Sequence, residues 1–488
     1  METAMHDALS IDGGGLKAIV APMGESDAET VRGSYKQPGG KLVSATVAVD
    51  AEGRIAHVAF DGDYFAERAD GRDVNLASVA EALVGLSVRS NIADLQHVLE
   101  HAIPQNVRLV GIDAQAMAFA VARAAAVFTD SLALHNLRED EGSAWASVLP
   151  DRFPENSAHP NHQIPLTPQL IAERWEQLDV RLEDPETAAS QPYEPAMQMA
   201  LDDVIARRTA RGDLPPILRF WEWAGPAVIL GLNQSVSNEV DLARARELGI
   251  AVVRRVTGGG AMFVEPGNTI TYSLTAPLSF VAGLSADDSY GLCESWTFSA
   301  LHSIGIAASH EPINDISSPA GKIGGAAQRR YPAPHQYRSS AAANGASDTN
   351  AAPAATPAVT SMSAVSAEHA ADTGVSISAL PAYVSASGAV LHHTTMAYDI
   401  DANKMLQVLR INKEKMSDKA VKSAAKRVDP MKSQSGMSRR QVLAAFSRYL
   451  HENIPHIQSI DLPADVIAEA RELAASKFST PEWTHRIP

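Results

Sequence analysis

The sequence is short of cysteine, of long apolar runs and of positive charge. A single cysteine, Cys293, stands in 488 residues. That excludes an internal disulfide and a cysteine-rich zinc site, and it suits a reducing cytoplasm. The longest apolar stretch, around 114–128, is interrupted by Arg123. It is too short to span a bilayer and reads as a buried helix. Residues 1–20 carry acidic side chains early and no basic segment leading into an apolar core, so no secretory signal is expected there. Lys and Arg number 41 against 57 Asp and Glu, a formal charge of −16. This argues against a protein that grips nucleic acid through a general basic surface. It is compatible with an enzyme whose site is locally basic. What is present is ordinary for a soluble protein, 45% apolar and 20% charged, with length for two or three domains.

Periodicity predicts an α/β chain in two parts. In the first, Val43, Ala45, Val47 and Val49 alternate with small residues as a strand, and Asp50-Ala51-Glu52-Gly53 turns it back through 54–60. Gly39-Gly40-Lys41 leads into this hairpin. Helices are expected at 79–86, at 92–103 and from an Asp113 cap to Ala125. This small α/β unit spans 27–130, and a charged, Pro-rich linker spans 131–166. The larger part covers 167–488. Pro195 opens a helix, where its missing N–H costs nothing. Strands are expected at 217–223, 227–230, 251–256 and 269–275, and helices at 241–249 and 289–304. Between 331 and 387 the composition falls to Ala, Ser, Thr and Pro, an insertion without expected order. A strand resumes at 390–400 and should pair beside 322–328. Ser438-Arg439-Arg440-Gln441 is a capping box.

Two stretches concentrate the chemistry. The first is Arg254-Arg255-Val256-Thr257-Gly258-Gly259-Gly260-Ala261-Met262-Phe263-Val264-Glu265-Pro266-Gly267-Asn268. Bare backbone lets a ligand approach and lets successive N–H groups face an anion, and Arg adds a planar fork of donors. Taken alone, it reads equally as a Gly-rich turn with a surface Arg pair. Its strand–loop–strand setting excludes a Walker loop and a Rossmann loop, both of which open a helix. Adjacent strand residues alternate faces, so Arg255 is expected inward and Arg254 outward. The second stretch is Asn314-Asp315-Ile316 followed by Gly321-Lys322-Ile323-Gly324-Gly325-Ala326-Ala327-Gln328. Small neighbours leave a ligand access to the Lys322 ammonium. Cys293, inside an expected helix, reads as packing.

Together with His393-Thr394-Thr395, these stretches resemble, in order, three motifs of lipoate–protein ligases and their acyltransferase relatives. The resemblance covers 190–330 and 388–485, including the Phe478–Trp483 ending. It implies the biotin/lipoate ligase type of catalytic fold, a mixed sheet with flanking helices. It also implies an ATP-dependent, AMP-forming reaction. Lipoate or octanoate is joined to ATP (with Mg²⁺) as acyl-AMP, and the acyl group then passes to a lysine of a lipoyl carrier domain. Carriers of that kind are the glycine cleavage H protein and the 2-oxoacid dehydrogenase acyltransferase subunits. The hairpin with Gly39-Gly40-Lys41 resembles the accessory domain of two-domain ligases, here placed first, so the order is permuted. Carried onto this chain, the resemblance makes Lys322 the catalytic residue between acid and α-phosphate. It puts Arg255, Gly260, Ala261, Met262 and Phe263 against ATP, and Gly259, Lys322 and His393 toward lipoate. Charge, apolar runs and cysteine count leave no nucleic acid, no membrane and a cytoplasmic location as the expectation, and no carboxylate cluster identifies a metal site in the protein. The chain departs from the family pattern at Val264-Glu265, where His-Asp is common, at Thr394, where Gly is usual, and in the 331–387 insertion.

Three other readings stand beside this one. An octanoyltransferase would draw its acyl group from acyl carrier protein, but its cysteine-dependent forms need a nucleophilic Cys shortly before the Gly-Lys motif. A biotin ligase would need a basic Gly-Arg-rich loop. A non-catalytic carrier-binding relative would keep the fold alone. Asp418-Lys419-Ala420 mimics a carrier's modified lysine, but its basic setting at 413–427 points to docking of acidic carriers or to a solvated face.

Overall fold

The computed structural model describes residues 30–68, 74–128, 164–184, 192–333, 388–410 and 430–487. Most of the expected linker, the insertion beyond Ala333 and the segment with Lys419 lie outside the described residues.

The first part folds around an antiparallel meander of β1 (Thr30–Lys36), β2 (Leu42–Val49) and β3 (Ile55–Gly62). The hairpin read from the alternation is β2–β3, with Ala48 opposite His57. Val43, Ala45 and Val47 are fully buried against the helix Ala114–Ala125. Asp113 caps that helix through a side-chain bond from the Ala116 N–H. The helix expected at 79–86 is shorter, Ala77–Glu81, and Gly85 at φ 86° turns the chain away. A second ribbon pairs β4 (Phe65–Arg68) with β5 (Val107–Val110). This part closes its own apolar cluster, from Val43 to Ala124.

The second part is a mixed sheet of eight strands in the order β12-β13-β14-β15-β11-β7-β6-β16. These are β6 (Arg181–Glu183), β7 (Ile217–Trp221), β11 (Thr269–Pro277), β12 (Ser309–Glu311), β13 (Asp315–Ser318), β14 (Gly321–Tyr331), β15 (Ala389–Ala397) and β16 (Gln458–Ser459). Period-two alternation divides their side chains between two cores. Leu218, Phe220, Tyr272 and Val390 face the helices Ala286–Ser303 and Arg439–Asn453. Ile217, Trp221, Ala389 and Leu391 face the helices Pro195–Arg211 and Ala464–Leu473. Sheet and helix enclose the Pro195–Arg211 helix on both sides. β14 and β15 pair antiparallel, Gly324 opposite Met396 and Tyr331 opposite Ala389, the pairing expected across the insertion. A smaller sheet holds β8 (Ala227–Leu230) between β9 (Ala251–Arg254) and β10 (Met262–Val264). The glycine stretch bridges β9 and β10, so it sits between strands as expected.

Candidate active site

Steric room explains the glycines. A Cβ on Gly231 would lie 1.9 Å from the Gly259 carbonyl, and one on Gly258 would lie 2.7 Å from the Tyr64 carbonyl and 2.8 Å from Phe65 Cδ1. The loop therefore folds tightly against its own β8 turn and against residues 63–65 of the first part. Asn233 and Gln234, beside that turn, fasten the contact. Asn233 donates to the Tyr64 carbonyl at 3.1 Å, the Gly62 N–H donates to the Asn233 carbonyl at 2.9 Å, and Gln234 Nε2 donates to Asp63 Oδ1 at 2.8 Å.

Arg254 departs from the expectation. Arg254 is fully buried, not outward, because it closes on main-chain carbonyls of Gly231, Leu232, Gln234, Thr484 and Ile487. Burial, then the neighbouring Arg486 and Arg255, lower its pKa to about 9. Arg255 points inward, but its donors meet protein. Nε bonds Thr257 Oγ1 at 3.0 Å and the Gly258 carbonyl at 3.2 Å. Nη1 bonds the Ile229 carbonyl at 3.1 Å, and Nη2 bonds Gly258 and Gly260 carbonyls at 2.5 and 2.9 Å. A phosphate contact by these donors would require breaking the bonds that shape the loop. Burial lowers the Arg255 pKa to about 10.

His393 lies beneath the loop. Its Nε2 is 2.7 Å from Thr257 Oγ1 and its Nδ1 is 2.9 Å from Asp202 Oδ2. Asp202 also accepts from Arg219 and Ser273, each at 2.9 Å. Burial opposes the Asp202 charge, but Arg219 and then His393 overcome it and hold its pKa below the usual carboxylate range. Burial lowers the His393 pKa despite Asp202. A neutral ring that donates from Nδ1 and accepts the Thr257 hydroxyl proton at Nε2 satisfies this chain. The chain of bonds thus runs Arg219–Asp202–His393–Thr257 into the glycine loop.

Lys322 opens β14 with its side chain 45% exposed and its Nζ 2.8 Å from Asp315 Oδ1. Next to it the backbone is bare: a Cβ on Gly325 would be 3.4 Å from Asp315 Oδ1 and 3.5 Å from Lys322 Nζ. Lys41, from the first part, donates to Asn314 Oδ1. Asp63 sits by the glycine loop, its carboxylate 3.8 Å from where a Gly260 Cβ would be. Each motif thus meets a residue of the first part, the glycine loop meeting Asp63 beside Gly260 and the Lys322 stretch meeting Lys41 on Asn314. Sequence reasoning missed Asp63 and Phe65, which carry no motif. Lys41 was visible only as the end of Gly39-Gly40-Lys41. At the exit of the loop Glu265 accepts from Lys404 and, at 3.0 Å, from Asn268, while the Asn268 carbonyl accepts the Tyr398 and Asp399 N–H groups. Val264-Glu265 thus serves a closed turn.

Cys293 is fully buried, and burial, with Glu294 beside it, raises its thiol pKa well above the usual value. Among the described residues, no group of three His, Cys, Asp or Glu side chains could hold a metal ion, and no helix is long and apolar enough to cross a membrane.

Comparison with known proteins agrees with the motifs. An octanoyltransferase, LipM, of Moorella thermoacetica is 36% identical over 107 residues, covering 22% of this chain and 35% of that protein. The match thus spans about a third of that relative's length. Lipoate-protein ligase A subunit 1 of Thermoplasma acidophilum is 28% identical over 308 residues, covering 60% of this chain and 92% of that one. The solved bipartite lipoate protein ligase of Thermoplasma acidophilum, studied with its E2 lipoyl domain, aligns with a TM-score of 0.44 at 25% identity. That alignment covers 63% of this chain and 96% of that one. Residues 194–337 match the family model described as lipoyl protein ligase A/B catalytic domain.

Proposed function

We propose that this chain is an ATP-dependent lipoate–protein ligase. A carboxylate oxygen of lipoate or octanoate attacks the α-phosphorus of ATP. The bond to the bridging oxygen breaks and pyrophosphate leaves. The amine of a carrier lysine then attacks the acyl carbon, AMP departs with the bonding electrons, and the nitrogen sheds a proton. Lys322 lies between acid and α-phosphate, and its charge offsets the negative charge that gathers there. Backbone from Gly260 to Phe263 faces the nucleotide, and Gly259 lies toward the acyl group. Arg255 and His393 act through the loop that they brace. Mg²⁺ enters as the counter-ion of ATP. The second step mainly requires positioning of the incoming amine, because AMP is already a good leaving group. Residues 27–130 act as the accessory domain and 167–488 as the catalytic domain, in a reducing cytoplasm.

The observation that carries this reading is Cys293. A thioester route needs an accessible thiolate, and the only thiol of the chain is sealed inside the core. Octanoyl transfer from acyl carrier protein remains the second reading, favoured by the similarity to LipM. Purified chain is supplied with a lipoyl carrier domain and either lipoate plus ATP or octanoyl-acyl carrier protein. Mass spectrometry of the carrier is expected to show lipoyl only in the first mixture. Octanoylation in the second mixture, persisting in Cys293→Ser, would contradict the ligase reading and the thioester route together.

A further inference from the structure

Lys41 has been placed with unusual care for a lysine on a hairpin. Gly40 has no room for a side chain, since a Cβ would sit 2.5 Å from the Gly111 carbonyl. Gly111, at φ 86°, leaves the space through which the lysine stem passes: a Cβ there would be 2.4 Å from Lys41 Cγ. The Lys41 N–H is itself fixed to the Gly111 carbonyl at 2.6 Å. So β1, β2 and the end of β5 together aim one ammonium out of the first part. It crosses to Asn314 of the second part and lies 5.8 Å from the centre of the Phe65 ring.

The destination is the wall that carries Lys322. Burial lowers the Lys41 pKa. Asp315 and Asp63 counter this, and Lys322 adds to it. Asp315 in turn is half-buried. Burial opposes its charge, but Lys322 and then Lys41 hold its pKa below the usual range. Two ammonium groups therefore stand on neighbouring residues, Lys41 on Asn314 and Lys322 on Asp315, beside the bare backbone of Gly325. A group of this kind, partly stripped of water and held by neutral glycine geometry, interacts more strongly with an arriving anion than a solvated lysine does.

We propose that Lys41 is a second catalytic cation of the adenylation step, contacting an α-phosphate oxygen of ATP while Lys322 holds the acid. In this role the first part of the chain supplies a residue without which the site is incomplete. The inference rests on the ATP-dependent reading above. It concerns pyrophosphate release alone: acyl transfer from preformed acyl-AMP to carrier does not require the charge.

The test uses the full chain and compares wild type, Lys41→Met, Lys41→Arg and Glu67→Gln. Glu67 forms a separate ion pair between the two parts, with Arg330 at 2.7 Å, so it reports the effect of loosening the contact alone. Two rates are measured, lipoate-dependent ATP–pyrophosphate exchange and transfer from synthetic lipoyl-AMP to a lipoyl domain. Lys41→Met, which keeps the stem, is expected to lose about a hundredfold in exchange. Its transfer rate should stay within about threefold of wild type. Lys41→Arg should recover part of the exchange, and Glu67→Gln should keep nearly all of it. Normal exchange in Lys41→Met overturns the proposal. So does an equal loss in Lys41→Met and Glu67→Gln, which reduces Lys41 to a tie between the two parts. Absence of exchange in wild type with every acid removes the adenylation reading itself.

Discussion

Replacing Arg255 separates a loop-bracing arginine from a phosphate-binding one. Arg255→Met keeps an apolar stem of similar length and removes the guanidinium. Four acceptors then lose their donor: Thr257 Oγ1 and the carbonyls of Ile229, Gly258 and Gly260. Each buried group left unsatisfied costs about 1–3 kcal/mol. The loop relaxes and the protein no longer has to bury a charge, which offsets part of this total. The net loss expected is about 2–4 kcal/mol. For a domain larger than 150 residues this is a fall in Tm on the order of 5–10 °C. The assay is thermal unfolding without nucleotide, followed by ATP titration. A direct phosphate ligand would behave in the opposite way, with unchanged Tm and weakened ATP binding. A Tm within about 1 °C of wild type would refute the bracing role.

Other outcomes follow from the same geometry. Gly258→Ala places a methyl group 2.7 Å from the Tyr64 carbonyl, so backbone must shift. A loss of about 1–3 kcal/mol in chemical denaturation is expected, and an unchanged midpoint would contradict the packing. His310 lies 2.9 Å from Asp287 and 3.5 Å from Glu294. Burial opposes its charge, but the two carboxylates raise its pKa to about 9. A raised folded pKa stabilises below the unfolded value near 6.5, and that stability is lost as pH rises through about 9. Allowing for partial exposure, wild type should exceed His310→Gln by about 1–2 kcal/mol near pH 6 and by almost nothing near pH 10. An advantage that grows with pH would have the wrong sign.

Much of the fold was legible in the residues because local signals and burial agree. Val43 to Val49 alternates and is a strand, Asp113 and Ser438 cap the helices they were expected to cap, and 390–397 pairs with the lysine strand despite the intervening insertion. Arg254 was misread because alternation describes a strand with one wet face. β9 ends under the loop and the C-terminal turn, so both Arg254 and Arg255 are enclosed. Asp63, Phe65 and Lys41 were harder still. Their place depends on how the two parts meet, and no periodicity in either part carries that information. Phe65, for example, alternates like any ribbon residue, yet it packs on Gly258 and Tyr290.

The central claim is that this chain makes an acyl adenylate with Lys322 at the reacting phosphate. Lipoate-dependent exchange of labelled pyrophosphate into ATP measures that step alone. Wild type is expected to exchange only when lipoate or octanoate is present. Lys322→Ala should unfold at the wild-type Tm, since the side chain is 45% exposed and its partner Asp315 is itself partly open to water, yet exchange on the order of 10²–10³-fold more slowly. Exchange by Lys322→Ala at near the wild-type rate would contradict the account.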